Sequence, residues 1–200
     1  MKNRHDVMEW AESHPKLGVG KLATMRIAVA GLIFNDRGSI LLHCRSDNAQ
    51  DAQNCLEEIG GSLDESEDIL ADAIMRELRE EVRNCTFSVD EFLDCSHIPF
   101  VDSEGQLKDW AIVTFLCSVV SGEPQVGEPG HTDGVGWFDL DDLATWDPKG
   151  PLRSVQLIND KSEMIERGVG LSDWVPVAVN AYISKYGREP WRVHRKPTHE

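Results

Sequence analysis

The sequence predicts a mixed α/β or α+β fold built around a mixed β-sheet. Two nearly unbroken apolar runs, at 26–34 and 110–120, have the length and composition of buried strands. Between them, residues 68–82 repeat their apolar side chains at helical spacing. The turn-forming segment 35–38 (NDRG) joins the first run to another apolar segment, which predicts an antiparallel hairpin. Hairpins combined with helices favour a sheet of mixed strand direction.

Local signals predict the remaining elements along the chain. The N-terminal part is expected to form a short helix (3–13), a loop (17–24), two strands (26–34 and 39–45) and a polar loop (46–54). The middle is expected to form the long helix (68–82) with Ser66 as its N-cap, one or two short strands within 85–100, a turn (102–106) and a strand (110–120). A loop (121–134), a short strand (135–140), a helix from Asp139 and a last helix from Asp173 to Lys185 follow. Residues 147–171 show no clear pattern, and the tail after Gly187 is expected to be extended.

The 200 residues and the 40% apolar content are typical of one globular domain. We expect a core at 26–146, an N-terminal extension at 1–25, and a C-terminal extension at 147–200 that belongs to the same domain. No apolar run has the length of a membrane span, and the polar N-terminus does not resemble a secretory signal. The five scattered cysteines lack CxxC spacing, which favours free thiols in the cytoplasm.

The charge distribution restricts the partners of the protein. The formal net charge is −15, and the stretch from Glu57 to Asp94 holds 13 acidic residues against 3 arginines. Such a surface repels nucleic acids and anionic membranes, so neither is an expected partner. An anionic small molecule would bind here only together with cations.

Three glutamates of the long helix occupy positions that a solvated acidic face would avoid. Glu77, Glu80 and Glu81 are spaced i, i+3 and i+4, and at about 100° per residue they fall within the apolar stripe. A surface helix with ordinary charge pairs is the alternative, but it would place its acids opposite the stripe. Hard divalent cations such as Mg²⁺ or Mn²⁺ offset the repulsion between the carboxylates and also accept phosphate oxygens.

Two further features fit a metal–diphosphate site. Gly60 and Gly61 permit a tight turn and close backbone approach, so a main-chain carbonyl could reach the metal. Arg76 precedes Glu77 and could pair with an acid at the start of the helix.

These residues resemble the signature of the Nudix hydrolases. The match comprises Gly61, Glu67 and the run Arg76-Glu77-Leu78-Arg79-Glu80-Glu81. Eight residues separate Glu67 from Arg76 where the family has seven, so either one residue is inserted or Asp68 takes the place of the acid. Because Asp68 has the family's spacing, we expect its loss to lower turnover more than the loss of Glu67. The signature departs at its edges, where Ile59 replaces a common proline and Arg83-Asn84 replace glycine and an aliphatic residue.

The resemblance implies an α/β/α sandwich around a mixed sheet and Mg²⁺- or Mn²⁺-dependent hydrolysis of a nucleoside diphosphate linked to another group. It implies that the metal ligands are Glu77, Glu80, Glu81 and the carbonyl of Gly61, and that the catalytic residues are Arg76, Glu80 and Glu81. Arg45, at the end of the opening hairpin, Glu58 and His131 are the expected substrate-binding residues. The general base is open among Glu80, Glu81, Glu123, Glu128, His131 and Asp133.

Substrate identity is only weakly indicated. Pro99 lies fifteen residues past Asn84, as in many ADP-ribose pyrophosphatases, so an ADP-ribose or nucleotide-sugar type of substrate is favoured. A nucleoside triphosphate pyrophosphohydrolase, a non-catalytic nucleotide-binding regulatory module and an isomerase of allylic diphosphates are the alternatives. Four aromatic residues are candidates for stacking on a base, although each is also a plausible core residue: Phe100, Trp110, Trp137 and Trp146. Dimers are common in the family, so a homodimer is one expected assembly.

Overall fold

The computed structural model describes residues 1–13, 25–49, 51–101, 105, 107–189 and 191. Within them the helices are α1 (Arg4–Ser13), α2 (Leu70–Glu81), α3 (Leu140–Ala144) and α4 (Val175–Tyr186). The strands are β1 (Arg26–Phe34), β2 (Ile40–Arg45), β3 (Cys55–Glu57), β4 (Ile59–Ser62), β5 (Val82–Val101), β6 (Leu107–Val126), β7 (Thr132–Phe138), β8 (Arg153–Ile158) and β9 (Met164–Leu171).

Strand β1 lies at the centre of a mixed sheet and has one divided edge. Along one edge it pairs over its whole length with β6, in parallel. Along the other edge its last two residues pair with β2, whereas Ala28–Gly31 pair with β4. The full strand order is β3-β9-β8-β7-β2-β1-β6-β5, and β3 also pairs with β2. Strand β2 therefore diverges from β1, and the glycine strand β4 fills the gap between them.

The helices pack on both faces of this sheet. Helices α1 and α2 cover one face, where Ile27, Val29 and Ile33 of β1 lie in the same apolar cluster as the buried side of α2. The alternate residues Leu32 and Phe34 lie in a second cluster with α3 and α4. This alternation is the pattern of a strand buried on both faces, and it confirms the predicted mixed α/β sandwich. No described helix is long and apolar enough to cross a membrane.

Several local predictions hold, and others are wrong. The first helix, the opening hairpin and the last helix lie close to their predicted places. The segment 85–100 is part of one strand of 20 residues, and β6 continues through residues 121–126, where the sequence predicts a loop. Residues 153–171, which show no sequence pattern, form the β8–β9 hairpin. The predicted loop at 17–24, most of the turn at 102–106 and the end of the tail lie outside the described residues.

Tertiary pairing explains two of these errors. Helix α2 begins at Leu70 without a side-chain cap, because the Leu70 N–H donates to the carbonyl of Lys2. The N-terminal segment thus replaces the predicted cap, Ser66. Gly60 and Gly61 lie in a strand, not in a tight turn, and their small size serves the close approach to β1 and α2.

We predict that Gly60→Ala lowers the free energy of unfolding by about 1–3 kcal/mol, because the new Cβ would overlap the carbonyl of Val29 and lie 2.8 Å from the Cα of Ala30. Gly168→Ala is the control, since the Cβ that alanine adds at this strand glycine would have no atom of the described residues nearer than 3.9 Å. Urea denaturation of both variants measures the difference. Equal effects would show that the approach of β4 to β1 does not require a glycine.

Candidate active site

Helix α2 carries both core residues and acids on one side. Its buried residues include Leu70, Ile74 and Leu78 and also two acids, Glu77 and Glu81. Glu80, by contrast, lies at the margin of the stripe, where its side chain is 47% exposed. The predicted apolar stripe therefore buries two of the three glutamates and leaves the third accessible from solvent.

Arg76 joins the acids of this region into one network. Its Nη1 lies 2.8 Å from Glu77 Oε1 and 2.9 Å from Glu80 Oε2. Its Nη2 also donates to the carbonyl of Ser62 at 3.2 Å, which attaches the helix to the end of β4. Hydrogen bonding to Glu67, and then the interactions with Glu77 and Glu80, raise the pKa of the Arg76 guanidinium, which stays charged. Arg76 thereby fixes the side chains of two predicted metal ligands.

Glu67, and not Asp68, is the acid that holds Arg76. The two oxygens of the Glu67 carboxylate accept hydrogen bonds from Arg76 Nε at 2.8 Å and from Nη2 at 3.0 Å. The bond from Arg76 lowers the pKa of Glu67. Glu67 also accepts the N–H of Asp64 at 3.0 Å. The expectation that Asp68 takes this place is wrong, because the connection between β4 and α2 accommodates the extra residue without moving Glu67 away from Arg76.

The glycine strand lies directly against the buried carboxylates. The N–H of Gly60 donates to Glu81 Oε2 at 3.0 Å. A Cβ at Gly61 would lie 2.5 Å from Glu77 Oε1, so the carboxylate of Glu77 occupies the space that any side chain at Gly61 would need. Burial raises the pKa of Glu77, and it raises the pKa of Glu81 to about 8 against the opposing effect of the Gly60 N–H.

These donors fit a hard divalent cation. The carboxylate of Glu77 lies against Gly61 and that of Glu81 against Gly60, and carboxylate and main-chain oxygens are the donors that Mg²⁺ and Mn²⁺ prefer. Among the described residues, no three acidic, histidine or cysteine side chains are grouped to hold an ion in their present rotamers. The contacts of Arg76 with Glu77 and Glu80 keep these carboxylates turned toward the guanidinium.

A second buried cluster lies behind Glu81. His43, in the middle of β2, hydrogen-bonds Thr132 Oγ1 through Nδ1 at 3.1 Å, and the same nitrogen lies 3.8 Å from Glu81 Oε2. Its Nε2 lies 3.9 Å from Glu57 Oε2, which in turn lies 3.5 Å from Arg45 Nε. Burial lowers the pKa of His43 to about 3, so the ring is neutral, and burial raises the pKa of Glu57 well above its usual range. Arg45 and Glu81 were predicted from the sequence as site residues, whereas His43, Glu57 and Thr132 were not.

The comparison with protein families agrees with the geometry. The family model of the NUDIX domain matches residues 24–159, which is more than half of the chain. The chain belongs to the Nudix family. Membership confirms the sequence-based recognition and makes the protein a hydrolase of pyrophosphate bonds. In a comparison with curated protein sequences, none matched this Nudix chain.

Solved structures show the same fold. A MutT NUDIX hydrolase from Burkholderia pseudomallei is 23% identical, covers 78% of this chain and 97% of its own, and has a TM-score of 0.53. A NUDIX hydrolase from Nitrosomonas europaea is 19% identical, and the match covers 86% of this chain and 96% of the Nitrosomonas chain with a TM-score of 0.56. A UDP-X diphosphatase is 16% identical, and the match covers 96% of this chain and 72% of the diphosphatase chain with a TM-score of 0.53. At these identities the similarity establishes the Nudix fold alone.

A cleft adjoins the Nudix glutamates. Its lining includes Gly60 and Gly61, so it opens beside the carboxylates of α2. Two of the predicted substrate-binding residues, Arg45 and Glu58, line it, and burial raises the pKa of Glu58 to about 7. The third, His131, is exposed on the loop between β6 and β7 and does not line this cleft.

The predicted stacking residues are separated in space. Trp110 lines the cleft, whereas Trp146 is buried in the core and Trp137 lines a different groove. The side chain of Phe100 is outside the described part of the molecule. Trp174 also lines the cleft, at the start of α4, and was not among the stacking residues predicted from the sequence.

The acids of the late loop have different surroundings. Glu128 lies close enough for its charge to raise the pKa of Glu81. Asp133 instead forms an ion pair with Arg167, 2.8 Å away, and Glu123 is exposed beside the other groove. Of these three candidates for the general base, Glu128 is thus the one next to the Nudix glutamates.

We predict that Glu67→Gln lowers kcat/KM by about 10- to 100-fold, the usual cost of removing a group that orients metal ligands. Asp68→Asn is the control and should change kcat/KM by less than about twofold, since Asp68 contacts the N-terminal segment through its backbone carbonyl, which accepts the N–H of Arg4. Steady-state hydrolysis at saturating Mg²⁺ checks both variants. A larger loss of kcat/KM in Asp68→Asn than in Glu67→Gln would contradict the pairing of Glu67 with Arg76 and favour Asp68, which has the family's spacing.

Proposed function

We propose that this Nudix protein is a metal-dependent pyrophosphohydrolase that cleaves a nucleoside diphosphate linked to a second moiety. The observation that supports the proposal best is the pair of buried carboxylates, Glu77 and Glu81, set against Gly60 and Gly61 at the mouth of the cleft. Burying two carboxylates is costly, and of the two Arg76 pairs with Glu77, so their position favours the binding of a divalent ion.

The proposed metal ligands are Glu77, Glu80, Glu81 and the carbonyl of Gly61. A divalent cation held there would neutralise phosphate charge and lower the pKa of a bound water. Arg76 keeps Glu77 and Glu80 in reach through bonds of 2.8 and 2.9 Å, and Glu67 holds Arg76 in turn. Arg76 thus keeps Glu77 and Glu80 beside the glycine strand, and the bound ion would replace the guanidinium as the partner of Glu77.

Arg45 and Glu128 complete the proposed site. Arg45 lines the cleft, where its guanidinium can bind phosphate oxygens as the diphosphate approaches the glutamates. Glu128 is the proposed proton acceptor for the attacking water, because it is the late-loop acid whose charge reaches Glu81. Glu58 is proposed to bind the organic part of the substrate from the wall of the cleft.

The side chains that line the cleft favour a conjugate over a nucleoside triphosphate as the substrate. Beyond the glycine strand its walls are apolar and aromatic, with Ile98, Trp110, Ile112 and Trp174 among them. Arg45 is the one basic side chain among the described lining residues, whereas Asp51, Glu57 and Glu58 are acidic. Among these described residues there is no second basic side chain to bind an extra phosphate, while a neutral organic group would fit. The cytoplasmic location and the homodimer stay predictions, as does the choice between Mg²⁺ and Mn²⁺.

We predict that the protein with Mg²⁺ or Mn²⁺ converts ADP-ribose or a nucleotide sugar into a nucleoside monophosphate and a phosphorylated partner, with a higher kcat/KM than for nucleoside triphosphates. Chromatographic product analysis over a panel of conjugates and triphosphates measures this. Glu81→Gln should lower kcat by about 10²–10³-fold, as the loss of a charge-stabilising group at a reaction centre does.

Glu65→Gln is the matched control, because Glu65 is an exposed acid of the loop before α2. Faster release of pyrophosphate from triphosphates than turnover of every conjugate would contradict the substrate class. Nucleotide binding without hydrolysis of any compound would favour the regulatory-module alternative.

A further inference from the structure

The wall of the cleft includes a residue from beyond the matched Nudix region. The family model ends at residue 159, whereas Trp174 lies fifteen residues further along the chain. Its half-buried indole lines the cleft together with Trp110 and Arg45. The short connection between β9 and α4 therefore contributes directly to the cleft that adjoins the glutamates.

The backbone at Trp174 is fixed from both sides. Strand β9 pairs in parallel with β3, with Leu171 opposite Leu56, and the N–H of Ser172 donates to the carbonyl of Leu56 at 3.0 Å. On the other side, the carbonyl of Trp174 accepts the N–H groups of Val177 and Ala178 as α4 begins. The indole is thus attached to the strand that precedes Glu58 and to the first turn of a buried helix.

Arg167 of β9 makes a second connection, to the loop at 46–54. Its Nη1 lies 2.8 Å from Asp133 Oδ2, its Nε donates to Asn54 Oδ1 at 3.0 Å, and its Nη2 lies 3.4 Å from Asp47 Oδ1. The loop that Arg167 holds contains Asp51, another residue of the cleft wall. One guanidinium therefore connects the C-terminal hairpin to the segment between β2 and β3.

Asn54 transmits this connection to Arg45. It adopts a positive φ of 56°, a conformation that asparagine tolerates better than most residues. Its N–H donates to the carbonyl of Arg45 at 3.1 Å, and its own carbonyl accepts the N–H of Gly170 at 2.9 Å. The position of Arg45 and that of the chain leading to Trp174 are consequently set by the same residue.

The part of the cleft that the central strands form is lined by small and apolar side chains. Ala28 and Ala30 of β1 lie there, and Ile112 pairs with Ala28 across the parallel β1–β6 ladder. Small side chains on a sheet leave a shallow surface, and indoles next to it offer aromatic faces, which suits a planar ring. A sugar or phosphate would gain less from this surface, because its polar groups would be desolvated without partners.

We propose that Trp174 binds the nucleobase of the substrate and that Arg167 is the positioning residue that keeps this wall of the cleft in place. The proposal deepens the proposed function and rests on it for the identity of the ligand. The C-terminal hairpin thereby sets the preference of this hydrolase for substrates that carry a planar ring near the diphosphate. A purely structural role, in which Trp174 only packs α4 onto the sheet, predicts equal effects on substrates with and without a base.

The test compares Trp174→Leu, which keeps apolar packing, and Trp174→Phe, which keeps an aromatic face. With the base-containing conjugate that the wild-type protein cleaves best, Trp174→Leu should raise KM by about 5- to 50-fold, the usual range for losing one base–aromatic contact, with kcat changed less than about threefold. Trp174→Phe should restore most of the affinity. With a sugar diphosphate that lacks a base, neither variant should change KM.

Two controls and one positioning variant complete the test. Trp137→Leu removes an equally half-buried indole from the other groove and should leave KM unchanged. Arg167→Gln should raise KM for the base-containing conjugate by about 10-fold, because small displacements of positioned groups are costly. Arg153→Gln, from β8 of the same hairpin, should not, since its guanidinium lies over Trp146 away from the cleft.

Calorimetric binding of AMP and of ribose 5-phosphate separates this inference from the proposed function. Hydrolysis by the wild-type protein together with unchanged KM and AMP affinity in Trp174→Leu would overturn the role of Trp174 and leave the function intact. Without any hydrolysis, AMP binding that weakens in Trp174→Leu while ribose 5-phosphate binding does not would support the base site alone. Equal affinities of the wild-type protein for AMP and ribose 5-phosphate would overturn the proposed base site.

Discussion

The burial of two carboxylates beside a pair of glycines is the constraint on which the rest of the site depends. Glu77 and Glu81 lie on the side of α2 that packs onto the sheet, where water cannot screen them. Only glycine at position 61 leaves room for Glu77, and the N–H of Gly60 is the donor that Glu81 uses. Because Arg76 balances part of this charge and Glu67 holds Arg76, the network extends from the core to the helix start. A divalent cation would satisfy the charge that the protein leaves uncompensated.

The topology of the sheet provides the space for this arrangement. If β2 paired with β1 along its whole length, no gap would exist for the glycine strand. Instead β2 pairs only with Ile33 and Phe34 of β1, and β4 pairs with Ala28–Gly31 of the same edge of β1. The acids Glu57 and Glu58, which follow β2 in the chain, line the cleft together with the glycine strand. The active site is thus a consequence of one divided strand edge.

The sequence predicted those features that depend on spacing within one element. The positions of Glu77, Glu81 and Arg76 and the β1–β2 hairpin are of this kind and lie where expected, whereas Glu80 lies at the exposed margin of the stripe. The pairing of Glu67 with Arg76 could not be deduced from spacing, because the loop before α2 absorbs the extra residue. Trp174 and the β8–β9 hairpin depend on partners more than a hundred residues away, such as Leu56. His43 did leave a signal, a polar residue within the apolar strand ILLHCR, and in the structure its buried ring has Thr132 as a hydrogen-bond partner.

The most direct test of the metal–carboxylate arrangement is anomalous diffraction from crystals of the full chain grown with Mn²⁺ and a non-hydrolysable nucleoside diphosphate conjugate. The predicted result is an anomalous peak about 2.1–2.2 Å from carboxylate oxygens of Glu77 and Glu81 and from the carbonyl of Gly61, with phosphate oxygens as further ligands. Glu77 would then have turned from Arg76 toward the ion. A map with the conjugate bound, no Mn²⁺ at these residues and Glu77 still on Arg76 would contradict the assignment of α2 as the metal-binding helix.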